Sequence, residues 1–128
     1  MTLVDTNVLL DIFTDDPRWL TWSLARLEEA AFRGPLLIND VIYAETSTRY
    51  STVEDFEAAL AGAGITVAQI SRMALFLAGK AFTRYRGVGG IRTGVRADFF
   101  IGAHAAVERL PLLTRDARRY RNFFRPWC

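Results

Sequence analysis

Thiol chemistry is almost absent from this sequence. Cysteine occurs once, as the final residue Cys128, so no intrachain disulfide and no thiolate metal cluster can form. Lysine occurs once, as Lys80, and histidine once, as His104. A histidine-based metal site and a phosphate loop of the GxxxxGK[ST] kind are therefore excluded. Apolar residues come in short broken runs, well below the roughly eighteen needed to cross a bilayer. The opening MTLVDTNVLL has no basic leader and an acid interrupts its apolar stretch, so it does not read as a signal peptide. These absences point to a cytoplasmic protein without membrane association. Disorder is excluded too, because 51% of the residues are hydrophobic.

Charge is present but unevenly placed. Net charge is +2, yet residues 1–64 carry four basic and eleven acidic side chains, while residues 65–128 carry twelve basic and three acidic. Arginine supplies fifteen of the sixteen basic residues, and its planar fork suits phosphate and carboxylate. An acidic half beside an arginine-rich half suits a polyanion partner, and equally an ordinary solvated surface or a subunit contact.

The apolar pattern alternates strands with helices. Leu3-Val4, Leu36 to Ile38, Ile65 to Val67 and Leu110 to Leu113 read as short buried strands. Asp16-Pro17 reads as a helix start, Asn39 as the cap of a helix running to about Arg49, and Ser51 with Glu54 as a capping box. Ser71 can cap a long helix in which Met73, Phe76, Leu77, Lys80, Ala81 and Arg84 share a face. Arg86 to Arg96 holds four glycines and reads as a loop, followed by a helix from about Asp98 to Arg109. The last twelve residues show no clear element beyond a short helical turn. The expected architecture is a single three-layer α/β/α domain over residues 1–128, with a mainly parallel central sheet of four or five strands.

Four acids stand out by position. Asp5 directly follows the first strand, and Asp116 lies two residues beyond the last. Asp98 opens a helix after the glycine-rich loop, and Glu45 sits in the helix after the second strand. Ligands of open parallel sheets bind at the carboxyl ends of strands, so these acids are placed to converge. Converging carboxylates repel one another unless a cation neutralises them, and an all-oxygen donor set suits Mg²⁺, with Mn²⁺ as a substitute. Such an ion assists deprotonation of a bound water and supports phosphodiester hydrolysis. Each acid also has a simpler role available, as turn former, helix cap or solvated helical residue. Arg86, Arg92 and Arg96 precede Asp98 and are candidates for RNA phosphate contact, as is Arg115, with Arg118, Arg119 and Arg121 close by. His104, six residues into the Asp98 helix among apolar neighbours, reads as a packed structural residue.

Four segments carry a resemblance to a known family. LVDTNVLLD, INDVIYAET, RADFFIGAHAA and LPLLTRDARRY resemble, in order and spacing, the motifs of PIN-domain ribonucleases, and within them the VapC-type toxins of bacterial toxin–antitoxin systems. The resemblance implies Asp5 and Asp98 as main metal ligands, Glu45 completing the acidic cluster and Asp116 holding a second ion or a water-mediated contact. It implies that Asn7 steadies Asp5 and that Thr114 fixes the last turn or touches phosphate. It further implies a Mg²⁺-dependent endoribonuclease, a homodimer and a VapB-type antitoxin as partner. Family members commonly end in a further edge strand, whereas Pro126 makes Phe123 to Cys128 a poor one. The rival reading is a non-catalytic RNA-binding or regulatory PIN-like domain. A receiver domain is disfavoured because Lys80 lies within a helix rather than after a late strand. A phosphatase of the Asp-x-Asp type is disfavoured by Asn7.

Overall fold

A computed structural model of the chain describes the backbone of residues 1–87 and 96–124, with side chains outside the description at 86, 87, 96 and 122–124. The strands are β1 (Thr2–Val4), β2 (Leu36–Ile38), β3 (Ile65–Val67) and β4 (Leu112–Leu113). The helices are α1 (Thr6–Phe13), α2 (Leu20–Arg33), α3 (Asp40–Ser47), α4 (Val53–Gly62), α5 (Arg72–Gly87), α6 (Arg96–Glu108) and α7 (Ala117–Phe124). All strand pairs are parallel, in the order β3-β2-β1-β4, with Thr2 beside Leu36, Leu3 beside Leu112 and Leu36 beside Ile65. The result is the expected α/β/α architecture around a parallel sheet, with four strands among the described residues.

The strand order positions the site. From β1 the chain winds outward through β2 to β3, then returns to place β4 on the other side of β1. Winding therefore reverses between β1 and β4, and helices leaving these strands in opposite senses open a crevice at their carboxyl ends. Asp5 and Thr114 are the residues that follow those two strands.

The core forms where β1 meets the helices covering it. Leu3, Val4, Val8, Leu9, Ile38, Ile42, Phe56, Phe99 and Ile101 are all essentially inaccessible. Burying one such side chain contributes about 1.5–3 kcal/mol. Gly34 ends α2 at a φ of 152°, and a Cβ there would sit 3.1 Å from the Met1 backbone nitrogen, so this tight return into β2 requires glycine.

Several local expectations shift. Asp16 does not cap α2; its Oδ1 accepts from the amides of Arg18 and Trp19, one turn before the helix starts at Leu20. The capping residue of α4 is Thr52, accepting from the Asp55 amide, and not Ser51. Adjacent hydroxyl and acidic residues offered both registers, and the extended backbone fell at Thr52. In α5 the buried stripe is Ala74, Ala78 and Ala81, whereas Met73 and Phe76 are 73% and 69% exposed. Small residues let α5 lie close on α6, where Phe82 and Tyr85 each meet Phe99 with ring centroids 5.6 Å apart. The large residues thus mark the outward face. Phe32, near the end of α2, is 94% exposed. Beyond Asp116 the chain forms a full two-turn helix, α7, whose Tyr120 is buried among core residues.

Candidate active site

Asp5 ends β1 and caps α1. Its Oδ1 accepts from the Thr6 amide at 2.7 Å, as an N-cap acid does. Its Oδ2 accepts from the Thr114 hydroxyl at 2.8 Å, the Tyr120 hydroxyl at 3.0 Å and, more weakly, the Asn7 amide at 3.4 Å. The residue is 4% exposed. Burial pushes its carboxyl above the ordinary value; the hydrogen bonds from Thr114, Tyr120 and Thr6 pull it back, and the charge of Asp98 adds to the rise.

Asp98 arrives from α6, in the first helical turn. Its Oδ1 faces the same Tyr120 hydroxyl at 3.2 Å, and its Oδ2 accepts from Arg119 Nη1 at 2.7 Å. Tyr120 is thus the meeting point of the two carboxylates. A phenol has one proton and can donate it to only one of them at a time. Burial first, then the negative charges of Asp5 and Asp98, push the Tyr120 phenol far above its ordinary value, so it stays a donor. The pair is short of positive charge.

Asp116 joins through Arg119, whose Nε lies 2.8 Å from Asp116 Oδ2. Glu45 stands one residue aside: its Oε1 accepts from the Thr6 hydroxyl at 2.6 Å, and the side chain is exposed. The acids therefore form a chain, from Glu45 through Thr6 to Asp5, through Tyr120 to Asp98, and through Arg119 to Asp116. Among the described residues, no three histidines, cysteines or acids stand close enough to hold an ion together. The pair of Asp5 and Asp98 nevertheless fits Mg²⁺, which is held by one or two carboxylates and otherwise keeps its waters.

The supporting residues lock the loop after β4. Thr114 Oγ donates to Asp5 and accepts from the Asp116 amide at 3.0 Å and the Asn7 side chain at 3.3 Å. Asn7 Oδ1 accepts from the Arg115 amide at 3.3 Å. Arg115, a candidate for RNA contact, is bound bidentately to Asp11 at 2.8 and 3.0 Å and stacks 4.7 Å from the Trp19 ring centre. Asp11 is 2% exposed and also accepts from the Ser23 hydroxyl at 2.6 Å. Of the other candidate RNA contacts, Arg92 lies outside the described residues. Arg86 and Arg96 belong to the backbone ends of α5 and α6.

Sequence reasoning passed over Tyr120 and Asp11 as site residues, and took Arg119 only as one of the arginines around the last motif, without its link between Asp98 and Asp116. Tyr120 entered only as the aromatic closing the last motif, and its four-residue spacing from Asp116 is the signal that a helical reading would have used. His104 is buried at 2% exposure, with Nδ1 3.1 Å from the Asn39 amide nitrogen. Asn39 Oδ1 already accepts from the Val41 and Ile42 amides, so its nitrogen must donate and His104 is neutral with its proton on Nε2. Burial lowers the His104 pKa further, and it takes no part in the acidic chain.

A model of the PIN domain matches residues 2–123, spanning both ends of this acidic chain. The chain belongs to the PIN-domain family. Among curated proteins no sequence matches this PIN domain. Two solved structures share its fold. A chain from the structure of VapBC2 from Rickettsia felis bound to a DNA fragment from their promoter superposes with a TM-score of 0.71 at 19% identity, covering 94% of this chain and 91% of that one. A chain from a toxin–antitoxin complex of Klebsiella pneumoniae gives 0.65 at 21% identity, covering 99% and 94%. At these identities the likeness is one of fold.

Proposed function

We propose that this PIN domain is a Mg²⁺-dependent endoribonuclease acting as the toxin of a toxin–antitoxin pair. The observation that carries the reading is the convergence of Asp5 and Asp98 on one phenol hydroxyl at the sheet's topological switch point. Asp5 and Asp98 would hold the ion, with Mn²⁺ as a substitute, and Glu45 and Asp116 would complete the acidic surround. When bound, the ion supplies an activated water and charge stabilisation at the phosphodiester. Thr114 and Asn7 fix the Asp5 carboxylate, and Tyr120 donates its proton to the pair. Glu45, exposed and held by the Thr6 hydroxyl, would orient or deprotonate water. Arg86, Arg92 and Arg96, near Asp98 in sequence, would hold RNA phosphates. Arg115 would serve the loop rather than the substrate.

Two features support the toxin assignment: the fold shared with chains from two toxin–antitoxin structures, and the exposed Met73, Leu75 and Phe76 of α5. Partners on this reading are an RNA substrate, a VapB-type antitoxin and a second copy of the chain. Among the described residues, no helix is long and apolar enough to cross a membrane.

The test is cleavage of total cellular RNA by the purified, antitoxin-free protein with Mg²⁺, with chelator, and as Asp5→Asn. Discrete products that vanish in both controls establish the nuclease. RNA binding without cleavage by the folded, Mg²⁺-supplied protein would favour the non-catalytic RNA-binding domain instead.

A further inference from the structure

Every carboxylate oxygen of the Asp5–Asp98 pair lies within hydrogen-bond distance of a donor, with the single Tyr120 proton shared between the two acids, and the cation nearest to the pair is the chain's own. Arg119 spans Asp98 and Asp116, with Nη1 on one at 2.7 Å and Nε on the other at 2.8 Å. An ion seated on Asp98 meets this guanidinium as a competitor. A divalent ion carries twice the charge of arginine, so at equal distance its attraction for a carboxylate is about double. Once seated, it also repels the guanidinium.

The grip of Arg119 is built to yield. Its side chain is 35% exposed, and those of Asp98 and Asp116 are 18% and 37% exposed. Pairs this close to water are worth about 0–1 kcal/mol, so releasing one costs little. Arg119 also splits its fork between two acids instead of pairing bidentately with one, which removes the geometric advantage arginine has over a point charge. Its neighbour Tyr120 anchors α7 in the core, so a released Arg119 stays beside the site.

We propose that Arg119 is the exchangeable counter-ion of the acidic site, holding Asp98 and Asp116 until a divalent ion takes Asp98 and then turning its guanidinium to the RNA phosphate. The device rests on the metal-dependent reading above. It keeps a carboxylate cluster neutral enough to fold without metal. It also couples metal loading to the appearance of a free phosphate-binding fork.

The test is a Mn²⁺ titration of the full chain without RNA, followed by the electron paramagnetic resonance of free Mn²⁺. Arg119→Met should bind Mn²⁺ about three- to tenfold more tightly than the wild type, since it loses a competing pair. In saturating Mn²⁺ the same variant should bind a non-cleavable 2′-O-methyl RNA several-fold more weakly. Arg119→Lys, which keeps the charge but cannot span both acids, serves should the methionine variant not fold, and it should tighten Mn²⁺ less. Equal Mn²⁺ affinity in wild type and variant would overturn the exchange while leaving the nuclease reading intact. Absence of Mn²⁺ binding in every protein would overturn both.

Discussion

Arg115 and Arg119 leave the same short segment four residues apart, and each grips aspartate, but the two contacts belong to different physical regimes. Arg115 meets Asp11 bidentately, over a tryptophan face, with the acid 2% exposed and a serine hydroxyl donating a third hydrogen bond to it. Arg119 divides its fork between Asp98 and Asp116, and all three side chains reach solvent. The first is a lock that fastens the loop after β4 to α1 and α2. The second is a latch between Asp98 of α6 and Asp116 of that loop. Desolvation makes the difference: removing one partner of a buried pair strands a charge in low dielectric, whereas water takes up the slack at an exposed one.

The largest expected effect separates lock from latch. Asp11→Ala should lower the free energy of unfolding by about 3 kcal/mol, measured by urea titration, because it leaves Arg115 without its partner beneath Trp19. Replacing both members with apolar residues, as Asp11→Leu with Arg115→Met, should recover much of that loss. A double variant as unstable as the single one would mean that packing, and not charge, fastens the loop.

Next in size is Tyr120→Phe. It removes the hydroxyl shared by Asp5 and Asp98 while keeping the ring in the core. A loss of about 10- to 100-fold in metal affinity or cleavage is expected, as for other groups that orient metal ligands. Thermal stability should change little. A large fall in melting temperature with unchanged metal affinity would assign Tyr120 to the core alone.

His104 sharpens the comparison as a buried polar contact that is locked without charge. Its pKa in the fold is depressed by burial below the ordinary 6.5, against weaker upward pulls from Glu108 and Asp40. The unfolded chain then takes up the proton first as pH falls. Stability from neutral His104 is fully present above 6.5 and is lost as pH drops from there through the lowered folded value. Wild type minus His104→Gln unfolding free energies, followed over acidifying pH, should show this loss. A flat difference would mean that His104 takes up its proton equally in the folded and unfolded chain, and a difference that grows on acidification would place a protonated histidine in the core.

The smallest effect belongs to the latch. Asp116→Asn should change stability by less than about 1 kcal/mol, despite the short contact to Arg119. A loss as large as that of Asp11→Ala would collapse the distinction between the two arginines.

Legibility followed the range of the interactions. Asp5 was readable because strand, acid and helix are contiguous, so a local pattern encodes a place at a sheet edge. Asn39 was readable as a cap for the same reason. His104 was legible from its apolar neighbours along one helix. Tyr120 and Arg119 were not, because their role depends on α7 being a helix. Its residues, rich in arginine, carry little intrinsic apolar signal until α6 and β4 are in place beside them. The helix α5 was legible from its Ser71 cap, but which of its faces is buried was not, since tight helix packing buries its alanines and leaves Met73 and Phe76 outside. The pairing of Arg115 with Asp11 was not legible, because nothing local shows that an acid more than a hundred residues earlier faces it.

On the proposed function, Asp5 and Asp98 hold a catalytic divalent ion in place of an internal cation. The most direct measurement is an anomalous difference map, at the manganese edge, from crystals of the protein grown with Mn²⁺. One strong peak is expected between the Asp5 and Asp98 carboxylates, with Arg119 turned away from Asp98. Saturating Mn²⁺ that leaves no peak at Asp5, with Arg119 still joining Asp98 to Asp116, would contradict it.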